Sequence, residues 1–362
     1  MQSAPAYSSR KKLSSIQILR GLAAGAVVIA HTIEHPLSES PNGLVILGAF
    51  GVQVFFVISG FIIAYVNQDG LFNPLTFLVR RVFRIVPLYW LCTILVFFCA
   101  LYLPSLFKTT VADTAYFLQS LFFIPASVPG DPHDWRPIYK LGWSLNYEMF
   151  FYIFFALFWW CKASLTRTVM MSGVLGLFVA GSFFIERDGS WYSVYMHTNL
   201  LTFIAGMWLA EAEKYGVWDR LSAGSVALLA VLAVPLLIAT FSISLADYRY
   251  FSLYLVSLAA AALLVILALA CERWTRNLQN NFFVQLGEIS YSLYLTHMFV
   301  VGFGWFVINR LGLSGALQIA GMAGIVIACV IGAKISYHLV EMPSNKLGHL
   351  LTLRRRTPVP AS

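Results

Sequence analysis

The chain has 362 residues, of which 59% are hydrophobic and 11% charged, and its mean hydropathy is +0.76. A soluble globular domain carries about 25% charged residues, so this composition excludes a soluble protein and predicts an integral membrane protein. The net charge of +8 is assigned to membrane topology rather than to nucleic-acid binding, because cytoplasmic loops carry an excess of lysine and arginine.

Ten apolar segments predict an all-α, polytopic membrane protein, because about 20 apolar residues cross a bilayer as a helix. In chain order the spans lie at 16–33, 44–66, 83–103, 146–161, 168–186, 196–211, 222–243, 250–271, 286–308 and 316–339. A shorter apolar stretch at 114–124 is interpreted as interfacial or re-entrant. We expect a cytoplasmic segment at 1–15, one transmembrane domain at 16–343 and a basic cytoplasmic tail at 344–362, disordered from Arg354 through Pro358.

The basic residues predict the orientation of these spans. With the N-terminus in the cytoplasm, sixteen lysine and arginine residues fall in cytoplasmic segments and six in external segments. The positive-inside rule therefore predicts that both termini are cytoplasmic.

The first span contains Arg20 and His31, which are eleven residues apart. Eleven residues are nearly three helical turns, so both side chains leave one face and stand roughly 16 Å apart along the axis. Ionisable groups inside a membrane are costly and indicate function. The topology places Arg20 near the cytoplasmic end and His31 near the outer end. An interfacial imidazole bonded to a carbonyl is the alternative for His31.

The fourth span enters from outside through Trp143-Ser144-Leu145-Asn146-Tyr147-Glu148, so we expect Glu148 to share the outer layer of His31. Its carboxylate could instead only stabilise a helix N-terminus.

Ser59 and Gly60 are expected in the inner half of the second span, with Arg81 and Arg84 at its inner mouth. These arginines could instead be membrane anchors. Gly21, Gly25 and Gly60 could simply allow close helix packing.

A possible metal motif follows the first span. The sequence His31-Thr32-Ile33-Glu34-His35 matches the His-x-x-Glu-His pattern of some zinc peptidases. Pro36 follows immediately, so the helix is expected to end there. No second cluster of metal ligands accompanies the motif, and we expect no bound metal.

The motifs resemble those of acyltransferase family 3, integral-membrane enzymes that O-acylate carbohydrates. Arg20 and His31 meet the family pattern of Arg, ten residues and His. Further family motifs match at 55–61 (Phe-Phe-x-x-Ser-Gly-Phe), 81–89 (Arg-x-x-Arg-Ile-x-Pro-x-Tyr), 143–148 (Trp-Ser-Leu-x-x-Glu), 287–297 and 341–343 (Glu-x-Pro). Residues 143–152 look most like bacterial exopolysaccharide O-acetyltransferases.

The resemblance implies that acetyl-CoA or another acyl-CoA enters from the cytoplasm. Arg81 and Arg84 would hold its phosphates, with Arg20 further along the pore, because guanidinium donors form a planar fork that suits phosphate. His31 would act as general base toward a glycan hydroxyl, and Glu148 would orient the imidazole, with Glu34 as the local alternative. Other residues expected to line the pore or the substrate are Ser59, Trp143, Ser144, Asn146, Tyr291 and His297, of which Ser144, Asn146 and Tyr291 are candidate oxyanion donors.

The same resemblance implies a multi-pass protein of the bacterial cytoplasmic (inner) membrane. Its partners would be a glycan acceptor, either a polysaccharide or a lipid-linked repeat unit, together with membrane lipid and polysaccharide assembly proteins, but no nucleic acid. Direct transfer and an acyl-enzyme route both remain open. A transporter or flippase of lipid-linked sugars is the main alternative function, since it would share the intramembrane charges and the cationic inner mouth.

Overall fold

The computed structural model describes residues 12–34, 44–104, 110–131, 133–185, 190–242, 250–278 and 280–353. These residues form helices, and within them the sole β pairing is an isolated bridge between Val128 and Asp131. The helices are α1 (Ser14–Glu34), α2 (Leu44–Val66), α3 (Pro74–Tyr102), α4 (Thr114–Leu121), α5 (Gly142–Leu157), α6 (Ser164–Gly181), α7 (Trp191–Tyr195), α8 (Leu200–Lys214), α9 (Ala223–Ser242), α10 (Phe251–Thr275), α11 (Phe282–Glu288), α12 (Ser290–Arg310), α13 (Gly315–Ser336) and α14 (Met342–Leu353).

Eight helical stretches are long and apolar enough to cross a membrane: α1, α2, α3, α6, α9, α10, α12 and the continuous run from α13 into α14. The predicted all-α, polytopic class is thereby confirmed. The other two predicted spans correspond to α5 and α8, which have only 16 and 15 residues. The predicted re-entrant stretch forms α4, whose eight residues are too few to span a bilayer.

Helix α3 begins at Pro74, well before the predicted start at 83. The side chain of Asn73 accepts a hydrogen bond from the Thr76 amide at 2.9 Å, and proline suits the first helical turn because it needs no amide donor there. The arginines at 80–84 consequently lie within a helix and not in a loop, so their side chains have fixed directions.

The last span also continues further than predicted. Residues 337–341 form one wider, π-helical turn, after which the helix runs on to Leu353. Pro343 has no amide to pair with the carbonyl of Leu339, and such a gap is a common cause of a locally widened helix. Residues 344–353 are therefore helical, and Thr352 accepts a hydrogen bond from Arg80 Nε at 3.0 Å. The basic residues from 354 onward lie outside the described residues.

Glycines allow two close helix contacts. A Cβ on Gly21 would lie 2.9 Å from backbone atoms of Phe283 and Gly287, so α1 and α11 touch there. Gly60 lies against the backbone of α8 in the same way. The packing interpretation is therefore correct for Gly21 and Gly60 but wrong for Gly25, which has no neighbour within 4 Å of such a Cβ.

Alternating helix directions bring many basic residues to one end of the bundle. Ser15 at the start of α1 donates to Glu272 near the end of α10 at 2.7 Å, and Lys214 at the end of α8 pairs with Asp69 at 2.6 Å. The Lys214 ammonium, hydrogen-bonded to Asp69, lowers the pKa of that carboxyl to about 2. We call this the basic end; it also carries Lys12, Arg80, Arg81, Arg84, Lys162, Arg167, Arg273 and Arg276.

Candidate functional site

A narrow cavity of about 90 Å³ lies between α1, α2, α3, α5 and α12 in the half of the bundle nearer the basic end. Arg20, Arg81 and Arg84 line it together with Glu148, and we call it the cationic cavity. Typical ligand pockets measure roughly 300–1,000 Å³, so this one suits a thin chain better than a nucleotide. Of the other expected site residues, Ser59, Ser144 and Tyr291 also line it.

Arg20 is a buried cation, with 8% of its surface exposed. Its guanidinium donates to Gln17 Oε1 at 3.2 Å and to Ser290 Oγ at 2.9 Å. No carboxylate of the described residues lies within ion-pair distance of it, although the charges of Glu341 and Glu148 act on it from further away. A buried cation that lacks a close counter-ion favours binding of an anion.

The other two arginines are half-buried on α3. The guanidinium of Arg81 lies 5.4 Å from the ring centre of Tyr152 and 5.6 Å from that of Phe77. Arg84 makes no hydrogen bond to any residue that the structure describes. Its guanidinium can therefore offer planar donors to an anion without first breaking a bond within the protein.

Glu148 lies in the cationic cavity and not beside His31. Its Oε1 accepts hydrogen bonds from the hydroxyl of Tyr152 and, at 3.1 Å, from Ser59 Oγ. The cavity that it lines with Arg20 does not include His31, which is roughly 16 Å further along α1. The prediction that Glu148 and His31 share one layer is therefore wrong.

The segment before α5 explains this error. The hydroxyl of Tyr139 donates to the Leu295 carbonyl, and its ring stacks on Phe299 with 5.4 Å between centres. Both partners lie within α12, so the chain enters the bundle before α5 begins at Gly142. The sequence prediction instead assumed that this helix starts at the outer surface.

The direction of α5 then carries Glu148 away from His31. Ser144 Oγ lies 2.8 Å from the hydroxyl of Tyr294, three residues before His297 on α12. Glu148 follows four residues later, roughly 6 Å further along the helix toward the basic end. The helix geometry therefore places this carboxylate level with Ser59 on α2.

The partner of His31 is His297. Nδ1 of His31 lies 3.0 Å from Nε2 of His297, and the ring centres are 5.1 Å apart. His297 is fully buried, whereas His31 is half-buried. Sequence reasoning assigned His297 only to the pore lining, because the 266 residues that separate the two give no sign of contact.

The backbone of α12 fixes the direction of the bond between the two imidazoles. Nδ1 of His297 faces the carbonyl oxygens of Tyr294 at 2.7 Å and Leu293 at 3.2 Å. Carbonyl oxygens only accept, so Nδ1 of His297 carries the proton and its Nε2 is an acceptor. His31 must then donate from Nδ1, which leaves the lone pair on its Nε2.

The remaining candidates lie apart from the imidazole pair. Tyr291 donates its hydroxyl proton to the Ile85 carbonyl at 2.6 Å, so this proton is not offered to an oxyanion. Asn146 is buried, and its Oδ1 has no hydrogen-bond partner within the described ranges. Trp143 lines a second cavity, which begins on the other side of Phe56.

Glu341 is a site residue that sequence reasoning missed. It lies in the π-helical turn, is 3% exposed and accepts a hydrogen bond from Ser292 Oγ at 2.6 Å. Its negative charge acts on the Arg20 guanidinium. The Glu-x-Pro motif was the available signal, since the proline accompanies the turn that holds this carboxylate.

The zinc motif gains no further ligands from the part of the chain that the structure describes. Among the described residues, no group of three or more His, Cys, Asp or Glu is placed to hold a metal ion. His35 lies outside the described residues. Glu34 has a buried Oε1 that finds no hydrogen-bond partner in the described part of the chain.

Comparison with known proteins identifies relatives along most of the chain. Residues 13–337 match a family model described as "Acyltransferase domain". The exopolysaccharide production protein ExoZ of Rhizobium meliloti (strain 1021) is 32% identical over 83% of this chain and 91% of its own. Acyltransferase MdmB of Streptomyces mycarofaciens is 27% identical over 96% and 94%, respectively. A Staphylococcus aureus (strain COL) protein, provisionally named an O-acetyltransferase, is 24% identical over 94% of this chain and 59% of its own.

No solved structure matches the chain. The family model nevertheless covers the cationic cavity and both imidazoles of the pair. The match extends over far more than half of the sequence and includes most of the helices that could span a membrane. The chain therefore belongs to this acyltransferase family and is a multi-pass membrane enzyme that transfers acyl groups.

Proposed function

We propose that this enzyme transfers an acetyl or related acyl group from acyl-CoA to a hydroxyl of an exopolysaccharide or another cell-surface glycan. The observation that carries the proposal is a cationic cavity that ends close to the paired imidazoles of His31 and His297. The name of the Rhizobium relative supports an exopolysaccharide acceptor. The name of the Staphylococcus relative supports an O-linked acetyl group.

The donor enters at the basic end. Arg81 and Arg84 bind the phosphates of the nucleotide outside the narrow part of the cavity, and Arg20 attracts the donor further in. A pantetheine arm of roughly 15–20 Å is comparable with the rise of roughly 16 Å between Arg20 and His31. The small volume of the cavity supports this division, because it leaves no room for the nucleotide.

Tyr294 connects the cavity with the imidazole pair. Its side chain lines the cationic cavity, and its ring centre lies 6.2 Å from that of His297. A thioester held at this level therefore lies within a few ångströms of the bonded imidazoles. The acceptor hydroxyl approaches from the other side.

His31 acts as the general base. Its Nε2 removes the proton of the acceptor hydroxyl while that oxygen attacks the thioester carbonyl carbon, which forms a C–O bond. The C–S bond then breaks, and the departing thiolate takes the proton from His31. The neutral ring of His297 stabilises the intermediate imidazolium by accepting its Nδ1–H, in a hydrogen bond strengthened by charge.

The proposed reaction requires the basic end to face the cytoplasm, where acyl-CoA is made. The excess of basic residues at that end supports this orientation in a bacterial cytoplasmic membrane. The glycan then arrives from the outer side, either as polymer or as a lipid-linked unit. Polysaccharide assembly proteins would deliver or remove it.

The test uses purified enzyme in lipid nanodiscs with radiolabelled acetyl-CoA and polysaccharide from a host strain that lacks this gene. We expect label on the polysaccharide with the wild type. His31→Ala should reduce the transfer rate by about 10²- to 10⁴-fold, which is the usual contribution of general base catalysis. His133→Ala, at an exposed histidine in the loop before α5, is the control and should retain full activity.

Other outcomes would contradict the proposal. Full activity of the purified His31→Ala variant would remove His31 from the chemistry. The enzyme can also be reconstituted into liposomes. Movement of a lipid-linked sugar across their bilayer without any acyl transfer would favour the transporter or flippase. Label on the protein before acceptor is added would indicate an acyl-enzyme route in place of direct transfer.

A further inference from the structure

A second cavity, of about 410 Å³, lies toward the end of the bundle opposite the basic end. Its wall includes residues at the start of α2 and α10, the residues just before α8, and residues just after α6. Trp135, Trp143 and Tyr147 form one side of it, and we call it the aromatic cavity. Its volume lies within the range of ordinary ligand pockets, unlike that of the cationic cavity.

Gln53 is the most informative residue in this cavity. Its side chain is 3% exposed, and neither its amide nitrogen nor its amide oxygen has a hydrogen-bond partner among the residues that the structure describes. A buried polar group without partners costs about 1–3 kcal/mol, so such groups are rare in native proteins unless something else satisfies them. A ligand in the cavity that both donates and accepts hydrogen bonds would satisfy both atoms.

The wall also indicates that this ligand is uncharged. None of the described residues that line the cavity is Asp, Glu, Lys or Arg, in contrast to the three arginines of the cationic cavity. His197 contributes a polar group: the Asn199 amide donates to its Nδ1 at 3.1 Å, so the proton of the neutral ring is on Nε2. A phosphate or carboxylate would find no cation among the described residues of this wall.

The aromatic rings supply flat apolar surfaces at right angles. Trp135 and Trp143 are inclined by 85° with 6.5 Å between centres, and Trp135 and Tyr147 by 86° with 5.8 Å. The electron-rich face of such a ring attracts the slightly positive C–H groups of a ligand. A sugar ring has a face of C–H groups and a rim of hydroxyls, and therefore matches both the rings and Gln53.

The two cavities share one wall. Val52 and Phe56 line both of them, and Trp143 of the aromatic cavity directly precedes Ser144 of the cationic cavity. Side chains of α2 and α5 therefore contribute to the wall between a ligand in the aromatic cavity and the acyl-donor path. This is where an acceptor that arrives from the opposite side would be held.

We propose that the aromatic cavity binds a neutral sugar unit of the acceptor glycan. The amide of Gln53 bonds with its hydroxyls, and the rings of Trp135 and Trp143 pack against its C–H face. This inference rests on the proposed function, since it assigns the acceptor of that reaction to a place. It adds Gln53 as a residue that determines acceptor binding.

The test is calorimetric titration of purified enzyme in nanodiscs. The probe is the neutral repeat-unit oligosaccharide released by mild hydrolysis from the host's own surface polysaccharide. Gln53→Leu should weaken its binding about tenfold or more, because a donor and an acceptor are both lost. The same variant should bind acyl-CoA as the wild type does, and its thermal midpoint should stay the same or rise, because an unsatisfied amide has been removed.

Gln68→Leu is the matched control. Gln68 is also a buried glutamine, just after α2 at the basic end, but its amide donates to the Ala210 carbonyl at 3.5 Å. This variant should bind the oligosaccharide normally and should not gain stability. Trp135→Ala should weaken oligosaccharide binding, whereas Trp159→Ala, at an exposed ring, should leave it unchanged.

Three results would overturn the inference: no binding of the oligosaccharide to the wild type, unchanged binding in Gln53→Leu, or tighter binding of decanoate in Gln53→Leu with no sugar binding. The last result would identify an apolar chain as the occupant. The proposed function and the sugar site can fail separately. If sugar binding depends on Gln53 but no acyl transfer occurs, the proposed function is refuted and the sugar site stands.

If acyl transfer continues unchanged in Gln53→Leu, the proposed function stands and the sugar site is refuted.

Discussion

A hydrogen bond between two neutral imidazoles has a direction, and the backbone of α12 sets that direction here. Two carbonyls hold the proton of His297 on Nδ1, so Nε2 of His297 always presents a lone pair to His31. His31 is thereby kept in the one neutral form that leaves its outer nitrogen basic. We assign His297 the role of a positioning residue, since it acts through His31.

This role predicts different results for two substitutions at one position. His297→Leu removes the acceptor, so His31 loses its fixed tautomer and kcat should fall by about 10²-fold or more. His297→Gln can still accept through its amide oxygen, and its kcat should remain within about tenfold of the wild type. The measurement is transfer rate at saturating acyl-CoA and acceptor.

A purely structural role for His297 would give another pattern. Both variants would then lower the thermal midpoint, and Gln would not restore the rate. Affinity for acyl-CoA serves as the internal check and should be the same in all three proteins, because His297 does not line the cationic cavity.

Glu148 is the residue whose expected role changes most. It lies among three guanidiniums that we assign to the donor, so its negative charge opposes the phosphates of acyl-CoA. Glu148→Gln should therefore tighten acyl-CoA binding by about three- to tenfold at low salt, and the difference should shrink as ionic strength rises. Titration of acyl-CoA in nanodiscs measures this affinity.

Ser59→Ala is the control for Glu148→Gln, because it removes a hydrogen bond to the carboxylate but no charge. It should leave the salt dependence unchanged. If Glu148→Gln lost all transfer at saturating acyl-CoA while its donor affinity stayed constant, the carboxylate would belong to the chemistry after all.

At the scale of helices, the sequence predicts which residues share a face of α1 but not the depth at which α5 lies. The spacing of Arg20 and His31 places both residues on one helical face, because helix geometry is local. The depth of Glu148 depends on Tyr139, which is bonded to α12 across 156 residues. Hydropathy shows that a segment is apolar, so it predicts the helix. It does not show that the preceding loop enters the bundle, so the depth predicted for the residues of that helix is wrong.

The contact between α1 and α11 leads to a stability prediction. A Cβ on Gly287 would overlap the backbone of Gln17, whose side chain holds Arg20. Gly287→Ala should therefore force the two helices apart, destabilise the fold by about 1–3 kcal/mol and weaken acyl-CoA binding. Thermal unfolding in nanodiscs and acyl-CoA titration measure the two effects.

Gly25→Ala is the matched control for Gly287→Ala. This glycine is also helical but has open space around it, so alanine should leave stability unchanged or raise it by up to about 1 kcal/mol through helix propensity. Equal destabilisation by both variants would show that helix contact is not the cause.

At the scale of the whole molecule, the orientation predicted from charge can be tested directly. Asp131 lies in the loop before α5, and Asp219 lies between α8 and α9 at the basic end; both are exposed. In a background without the five native cysteines, Asp131→Cys should react with an impermeant maleimide in intact cells. Asp219→Cys should react only after the membrane is permeabilised.

The reverse labelling pattern would place the basic end outside and would separate the cationic cavity from cytoplasmic acyl-CoA. Sequence alone predicts an orientation because the charge bias sums over many loops, and this labelling is what tests it. It does not predict that the two cavities approach each other, since that depends on where α2 and α5 cross.

The wall between the two cavities has a consequence for the cell as well as for the reaction. Phe56 is 3% exposed and packs against Phe203, Trp143 and Tyr147 at centre distances of 4.8, 6.2 and 6.0 Å. An enzyme that takes one substrate from each face of an energised membrane must not let protons or salt leak through. In the proposed reaction, the rings packed around Phe56 would close the route between the two cavities to water and ions.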